Sequence, residues 1–150
     1  MRAELRTLSD TKRAAKELAR RLRGGDLLLL YGDLASGKTT FMKYLAAALG
    51  FNGSDVSSPS FTIINHYAGK AGRPGIYHVD LYRLGEGANL EPLGLETIIS
   101  SGDIVAVEWP GSAEAAFSRS GQRRIVLRFE LSAGKRVLII NPMPKPAVSI

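Results

Sequence analysis

A chain of 150 residues, 45% of them hydrophobic, is long enough for a single domain with its own apolar core. It has no cysteine, which excludes disulfides, thiolate metal sites and a cysteine nucleophile. The net charge of +6 permits attraction to nucleic acid or an acidic partner, but plain solubility accounts for it as well.

No apolar run reaches the roughly 18 residues that a membrane-spanning helix needs, so no membrane is expected as a partner. The first 23 residues are basic and periodic rather than continuously apolar. They do not read as a signal peptide, and a cytoplasmic location is expected.

In chain order, Ser9 is the expected cap of a first helix, with Asp10 in its first turn. Ala15, Leu18, Ala19 and Leu22 recur at helical spacing, and Gly24-Gly25 is the expected stop. Lys12, Lys16, Arg20 and Arg23 fall on the other side, as the wet face of such a helix. Residues 27–31 are short and apolar, which suits a buried strand. Helical spacing resumes with Phe41, Leu45, Ala48 and Leu49, and Gly50 closes the turn.

Residues 51–60 are rich in Gly, Ser, Asn and Pro and read as a loop. Residues 61–67 and 76–83 are expected strands of a hairpin around a glycine-rich turn at 68–75. Residues 85–91 are loop, Pro92 opens a short helix ending near Ser101, and 103–109 is a further strand stopped by Pro110. A helical turn at 113–117 follows. Residues 124–131 and 137–140 are expected to form a C-terminal β-hairpin around 132–135. The tail at 142–150, with three prolines, is expected to be loose. The order implies an α/β, three-layer fold with a mixed, mainly parallel central sheet, spanning 1–150 as one domain.

Between the first buried strand and the next helix lies Gly32-Asp33-Leu34-Ala35-Ser36-Gly37-Lys38-Thr39, a full match to the phosphate-binding P-loop pattern. Gly32 and Gly37 let the backbone turn sharply and approach phosphate closely. Successive amides then converge on one anion, and the helix N-terminus adds its positive end. Lys38 supplies a charge at the β- and γ-phosphates, the Thr39 hydroxyl a ligand for Mg²⁺, and Thr40 a contact near the α-phosphate. Ser36 acts through its backbone amide. ATP with Mg²⁺ is the expected cofactor, in a P-loop NTPase.

Magnesium also needs acidic oxygen ligands. Asp80 and Glu108 each end an apolar run, and Glu108 ends the cleaner one. One would bind the metal while the other orients the attacking water or senses the γ-phosphate; the pattern does not assign which. Lys38, Asp80 and Glu108 form the expected catalytic set. His78 alternates onto the face of Asp80 and reads first as a satisfied structural histidine. Trp109 reads first as core packing.

These segments resemble the TsaE family, also called YjeE. The run from Gly32 to Phe41 resembles its phosphate loop, and Ser58-Pro59-Ser60-Phe61-Thr62 its switch-like segment. His78-Val79-Asp80-Leu81-Tyr82-Arg83-Leu84 and Glu108-Trp109-Pro110 resemble its two further signatures. The resemblance implies an ATPase needed for threonylcarbamoyladenosine modification of tRNA beside the anticodon. It implies homologues of TsaB and TsaD as partners; tRNA is a possible further partner, expected indirectly, with direct contact left open, and hydrolysis is expected to be slow until partners raise it.

It also implies phosphate binding by residues 36–40, with Thr39 on Mg²⁺, and acidic site roles for Asp80 and Glu108. Thr11 would lie near the adenine, and Ser60 and Thr62 in a mobile segment near the γ-phosphate. The chain departs from the family's usual Gly-Ala at Ala35-Ser36, from Thr at Ser60, and from an acidic residue at His66. Arg123, Arg124 and Arg128 read as exposed strand residues.

Three other readings stand beside this one. A small-molecule kinase needs a second pocket and an arginine-bearing lid, and 85–92, the one candidate lid, has no arginine. A GTPase needs a guanine-reading Asn-Lys-x-Asp segment, which the chain lacks. A non-enzymatic, nucleotide-dependent module for tRNA or a protein partner would rest on the basic first helix and Arg123-Arg124.

Overall fold

The computed structural model describes residues 1–59 and 61–145, with the backbone alone at Ser112. Seven strands are joined in the order β1-β7-β6-β2-β5-β4-β3: β1 (Arg2–Glu4), β2 (Leu27–Tyr31), β3 (Ile64–Tyr67), β4 (Ile76–Asp80), β5 (Ile104–Glu108), β6 (Arg124–Ser132) and β7 (Lys135–Asn141). The helices are α1 (Leu8–Ala19), α2 (Lys38–Ala48), α3 (Leu95–Ile99) and α4 (Glu114–Ser118). The fold is α/β with a mixed sheet and a C-terminal hairpin, as the pattern implied. The chain forms two compact units: Met1–Leu22 with Tyr31–Ser58 and Ile125–Ile150, and Arg23–Leu30 with Pro59–Arg124.

In the first unit α1 packs on α2. The buried stripe of α1 is Thr11, Ala14, Ala15 and Leu18; that of α2 is Lys38, Phe41, Met42, Leu45 and Ala46. Fully burying side chains such as Leu18 and Leu45 contributes about 1.5–3 kcal/mol each. The cap of α1 is Thr7 rather than Ser9. Thr7 is extended, its hydroxyl accepts from the Asp10 amide at 3.2 Å, and the Asp10 carboxylate accepts from the Thr7 amide at 2.9 Å. This reciprocal pair satisfies two donors that a helix start leaves open, so the helix begins two residues early and ends at Ala19, well before Gly24-Gly25.

The hairpin of β6 and β7 turns on Ala133 and Gly134, both at positive φ (50° and 74°), the geometry a tight two-residue hairpin requires. The sequence pattern does not reveal β1. It pairs antiparallel with β7 through backbone bonds, with Arg2 opposite Ile139 and Glu4 opposite Val137. In the tail, the Pro144 carbonyl accepts from the Arg21 guanidinium at 2.9 Å; residues 146–150 lie outside the described set.

In the second unit β2, β5 and β4 are parallel, and β3 runs antiparallel beside β4. Every residue of β5 and the first four of β2 are buried, which explains their unbroken apolar runs. The expected strand at 61–67 starts only at Ile64, because Ile63 takes a left-handed φ of 69°. The strand at 76–83 stops at Asp80 and gives way to a 3-10 turn over Tyr82–Leu84. The helix expected from Pro92 is split at Gly94 (φ 65°) into a 3-10 turn and α3.

Asp26, only 1% exposed, precedes β2 and meets Arg123 in a two-pronged pair, Nε at 2.8 Å and Nη2 at 2.6 Å. The Arg123 guanidinium is held raised above its usual range chiefly by this hydrogen bond. Arg123 is therefore a structural residue, not an exposed strand arginine. Removing Arg123 strands the buried Asp26 charge, and removing Asp26 takes the carboxylate from a half-buried guanidinium. Arg123→Ala is expected to lower unfolding free energy by about 3 kcal/mol and Asp26→Ala by less, each read as a lower urea midpoint at unchanged slope. The double variant should lose less than the sum; strict additivity would show that the two groups are not coupled.

Candidate functional site

The phosphate-loop motif lies in the first unit and follows β2 directly. Gly32 has φ 152°, and a side chain there would put its Cβ 2.6 Å from the Ser36 hydroxyl oxygen and 2.9 Å from both Cβ and the carbonyl oxygen of Phe129. Only glycine fits. Ala35 stands at φ 59°, where the family pattern has glycine, at a cost of about 1 kcal/mol. Gly37 (φ 104°) caps α2 with no side chain of its own, at the end where a helix presents its amides and positive dipole.

Lys38 is buried, and its ammonium folds back over the loop. It donates to the carbonyls of Gly32 and Asp33, the latter at 2.9 Å, and to the Ser36 hydroxyl at 3.4 Å. The loop thus pulls its own carbonyls onto the lysine. Thr39 and Thr40 are half-buried on the first turn of α2. Thr11 is buried in α1, and its hydroxyl bonds back to the Thr7 carbonyl at 3.5 Å.

The acidic residues lie in the second unit. Asp80 ends β4, Glu108 ends β5, and the two are registered opposite each other. Glu108 is also registered against Leu30 of β2, two residues before Gly32 in the chain. These are the carboxyl ends of parallel strands, where ligands bind in open α/β sheets.

Both carboxyls are buried. Burial pushes the Asp80 carboxyl above its ordinary range, and the charge and hydrogen bond of Glu108 raise it further. The Tyr82 amide, donating to Asp80 Oδ1 at 2.9 Å, and His78 act the other way. His78 is fully buried, with Nε2 3.5 Å from Glu108 Oε2, and neither ring nitrogen has a hydrogen-bond partner among the described residues. It is a buried histidine but not a satisfied one.

Glu108 Oε1 is likewise buried without a hydrogen-bond partner. Such an atom is costly unless a cation meets it, so the carboxyl fits a divalent ion. Among the described residues no group of three or more His, Cys, Asp or Glu could hold a metal; magnesium asks less, since it keeps waters and phosphate oxygens as ligands.

Trp109 is half-buried at a left-handed φ of 56°, its ring 4.8 Å from Tyr82, so it marks the strand end rather than the core. His66 pairs with Asp103 at 2.9 Å and stacks on Tyr77. Thr62 donates to Asn65 Oδ1 at 2.8 Å, and Ser60 lies outside the described residues. The Tyr82 amide escaped the sequence reading because a main-chain donor leaves no residue-type signal.

A family model described as Threonylcarbamoyl adenosine biosynthesis protein TsaE matches residues 5–137. The chain belongs to the TsaE family. Its relatives include the tRNA threonylcarbamoyladenosine biosynthesis protein TsaE of Streptomyces coelicolor, 36% identical over 79% of this chain and 78% of that one. The protein of the same name from Aquifex aeolicus is 41% identical over 70% of this chain and 73% of its own. Among solved structures, Bacillus subtilis YdiB matches with a TM-score of 0.66 at 30% identity, covering 92% of this chain and 82% of that one. No helix among the described residues is long and apolar enough to cross a membrane.

The Asp80 shift has a definite sign. Its folded pKa lies above the unfolded one, so its contribution to stability is full below the ordinary aspartate value of about 4 and is lost as pH rises through the folded pKa. Asp80→Asn keeps the Oδ1 acceptor for Tyr82 and removes the buried charge. In metal-free, nucleotide-free buffer it is expected to melt above the parent chain at pH 7 and to match it at pH 4. A variant that melts below the parent at pH 7 would overturn the assignment.

Proposed function

We propose that this TsaE-family chain is a magnesium-dependent ATPase that serves threonylcarbamoyladenosine modification of tRNA, the process for which its relatives are named. The observation that carries the reading is the Lys38 ammonium, clasped by the carbonyls of a glycine-turned loop at the start of α2. In this reading a triphosphate takes the place of those carbonyls. Neutral acceptors are then exchanged for anionic ones, which adds the attraction of opposite full charges to bonds that the ammonium already makes charge-assisted. The amides of 36–40 cradle the phosphates, with Gly32 and Gly37 giving the turn its shape.

Thr39 and Glu108 are the residues proposed to hold magnesium, Glu108 because its Oε1 lacks another partner. The ion, when bound, neutralises charge on the β- and γ-phosphate oxygens. Asp80, fixed by the Tyr82 amide and with its carboxyl pushed above the ordinary range by burial, is assigned to the attacking water. Thr11 is assigned to the adenine side on the family resemblance alone. The partners are TsaB and TsaD homologues in the cytoplasm, which raise a slow intrinsic rate and bring the tRNA.

Calorimetry with Mg²⁺ should register ATP binding and a weaker response to GTP. Phosphate release should exceed transfer to nucleosides or sugars, and should rise when TsaB and TsaD homologues are added. Lys38→Ala should lose about a hundredfold in hydrolysis without a fall in melting temperature. No heat with Mg-ATP would sink the ATPase reading, and an unchanged rate with both partners would sink the assembly.

A further inference from the structure

His78 is the one residue of the acidic cluster to which no role has been given. Its cross-strand neighbours do not satisfy it. On β5 it faces the register position of Ala106, which has no polar side-chain atom, and on β3 that of Asn65, whose Oδ1 already accepts from the Thr62 hydroxyl. The nearest recorded polar contact is Glu108 Oε2 at 3.5 Å, a few tenths of an ångström beyond a hydrogen bond. A residue needed at this place only for packing would be apolar, as Ile76 and Val79 are on the same strand. An imidazole buried here costs stability unless its N–H is used.

We propose that His78 is a positioning residue for Glu108, donating its Nε2–H to Oε2 and so fixing the direction of Oε1. This deepens the reading above and rests on Glu108 serving the magnesium ion. The bond leaves one carboxylate oxygen committed to the protein and the other to the cation. Outer hydrogen-bond partners of this kind orient metal-binding carboxylates, and losing one typically lowers metal affinity about 10–100-fold. An Nε2–H donates whichever state Nδ1 is in, so the role needs no change of protonation.

The test compares His78→Gln, whose amide reaches the Nε2 position, with His78→Asn, whose amide does not. ATP affinity is measured by calorimetry with and without Mg²⁺ on the full chain, beside its melting temperature. For His78→Asn the gain in ATP affinity due to Mg²⁺ should fall about tenfold, metal-free ATP affinity should hold, and hydrolysis should recover at saturating Mg²⁺. His78→Gln should stay close to the parent. If His78→Asn does not fold, His78→Leu takes its place against His78→Gln.

Equal Mg²⁺ dependence in parent, Gln and Asn chains would overturn the proposal. So would a loss shared alike by Gln and Asn, which would mean packing alone. A parent chain that binds no Mg-ATP would remove the ATPase reading itself, a result distinct from a parent that binds while the variants do not differ.

Discussion

The close approach of Gly32 to Phe129 sets the geometry of the phosphate loop. The Phe129 backbone leaves no room for a Cβ at 32, so the chain must leave β2 in a conformation open only to glycine. The Phe129 ring meets Phe41 of α2 edge to face, centroids 5.6 Å apart. One residue of β6 therefore fixes both where the loop starts and the first turn of the helix that ends it. Its neighbour Arg128 lies over the ring of Tyr31, 4.7 Å from its centroid, and braces the last residue before the turn. Between these supports the loop carbonyls close on Lys38, and an extra side chain at 32 would press on Phe129 and on the Ser36 hydroxyl.

The second unit handles its buried acids in two opposite ways. At the start of β2, Asp26 is satisfied by the fork of Arg123 and by the Arg23 amide at 2.8 Å. At the carboxyl ends of β4 and β5, Asp80 and Glu108 are set side by side, with one Glu108 oxygen left unpaired and Asp80 pushed up by burial. The same short sheet holds both solutions, so the unsatisfied end cannot be put down to a lack of arginine in the chain. Strand polarity separates an end built for stability from an end that bears a cost, and costs of that kind gather where chemistry is done.

What could be read from the sequence follows how local each cause is. Strands β2 and β5 stand out because burial on both faces demands an unbroken apolar run, and the phosphate loop because its glycines are forced by backbone geometry. Asp80 and Glu108 were visible as acids ending such runs. Strand β1 was not, since three residues with two charges carry no alternation and are held by main-chain bonds to β7, over a hundred residues away. The pairing of Arg123 with Asp26 likewise joins residues far apart in the chain. Thr7 rather than Ser9 caps α1 because the cap depends on a reciprocal bond with Asp10, and both residues are chemically able to begin a helix.

The same contacts bear on whether this chain would meet RNA directly. That idea drew on the basic face of α1 and on Arg123-Arg124. On α1, Arg13 is paired with Asp10 at 2.6 Å, and Glu17 takes Arg21 at 2.5 Å and Arg20 at 3.6 Å. Arg123 is committed to Asp26, and Arg124 donates to the Ser118 hydroxyl at 3.2 Å. Exposed pairs such as those on α1 add little stability, but they do weaken the field that a phosphate backbone would feel. Of the basic face itself, Arg20 is paired, while Lys12 and Lys16 are exposed and make no ion pair among the described residues, so the field of α1 is reduced but not removed.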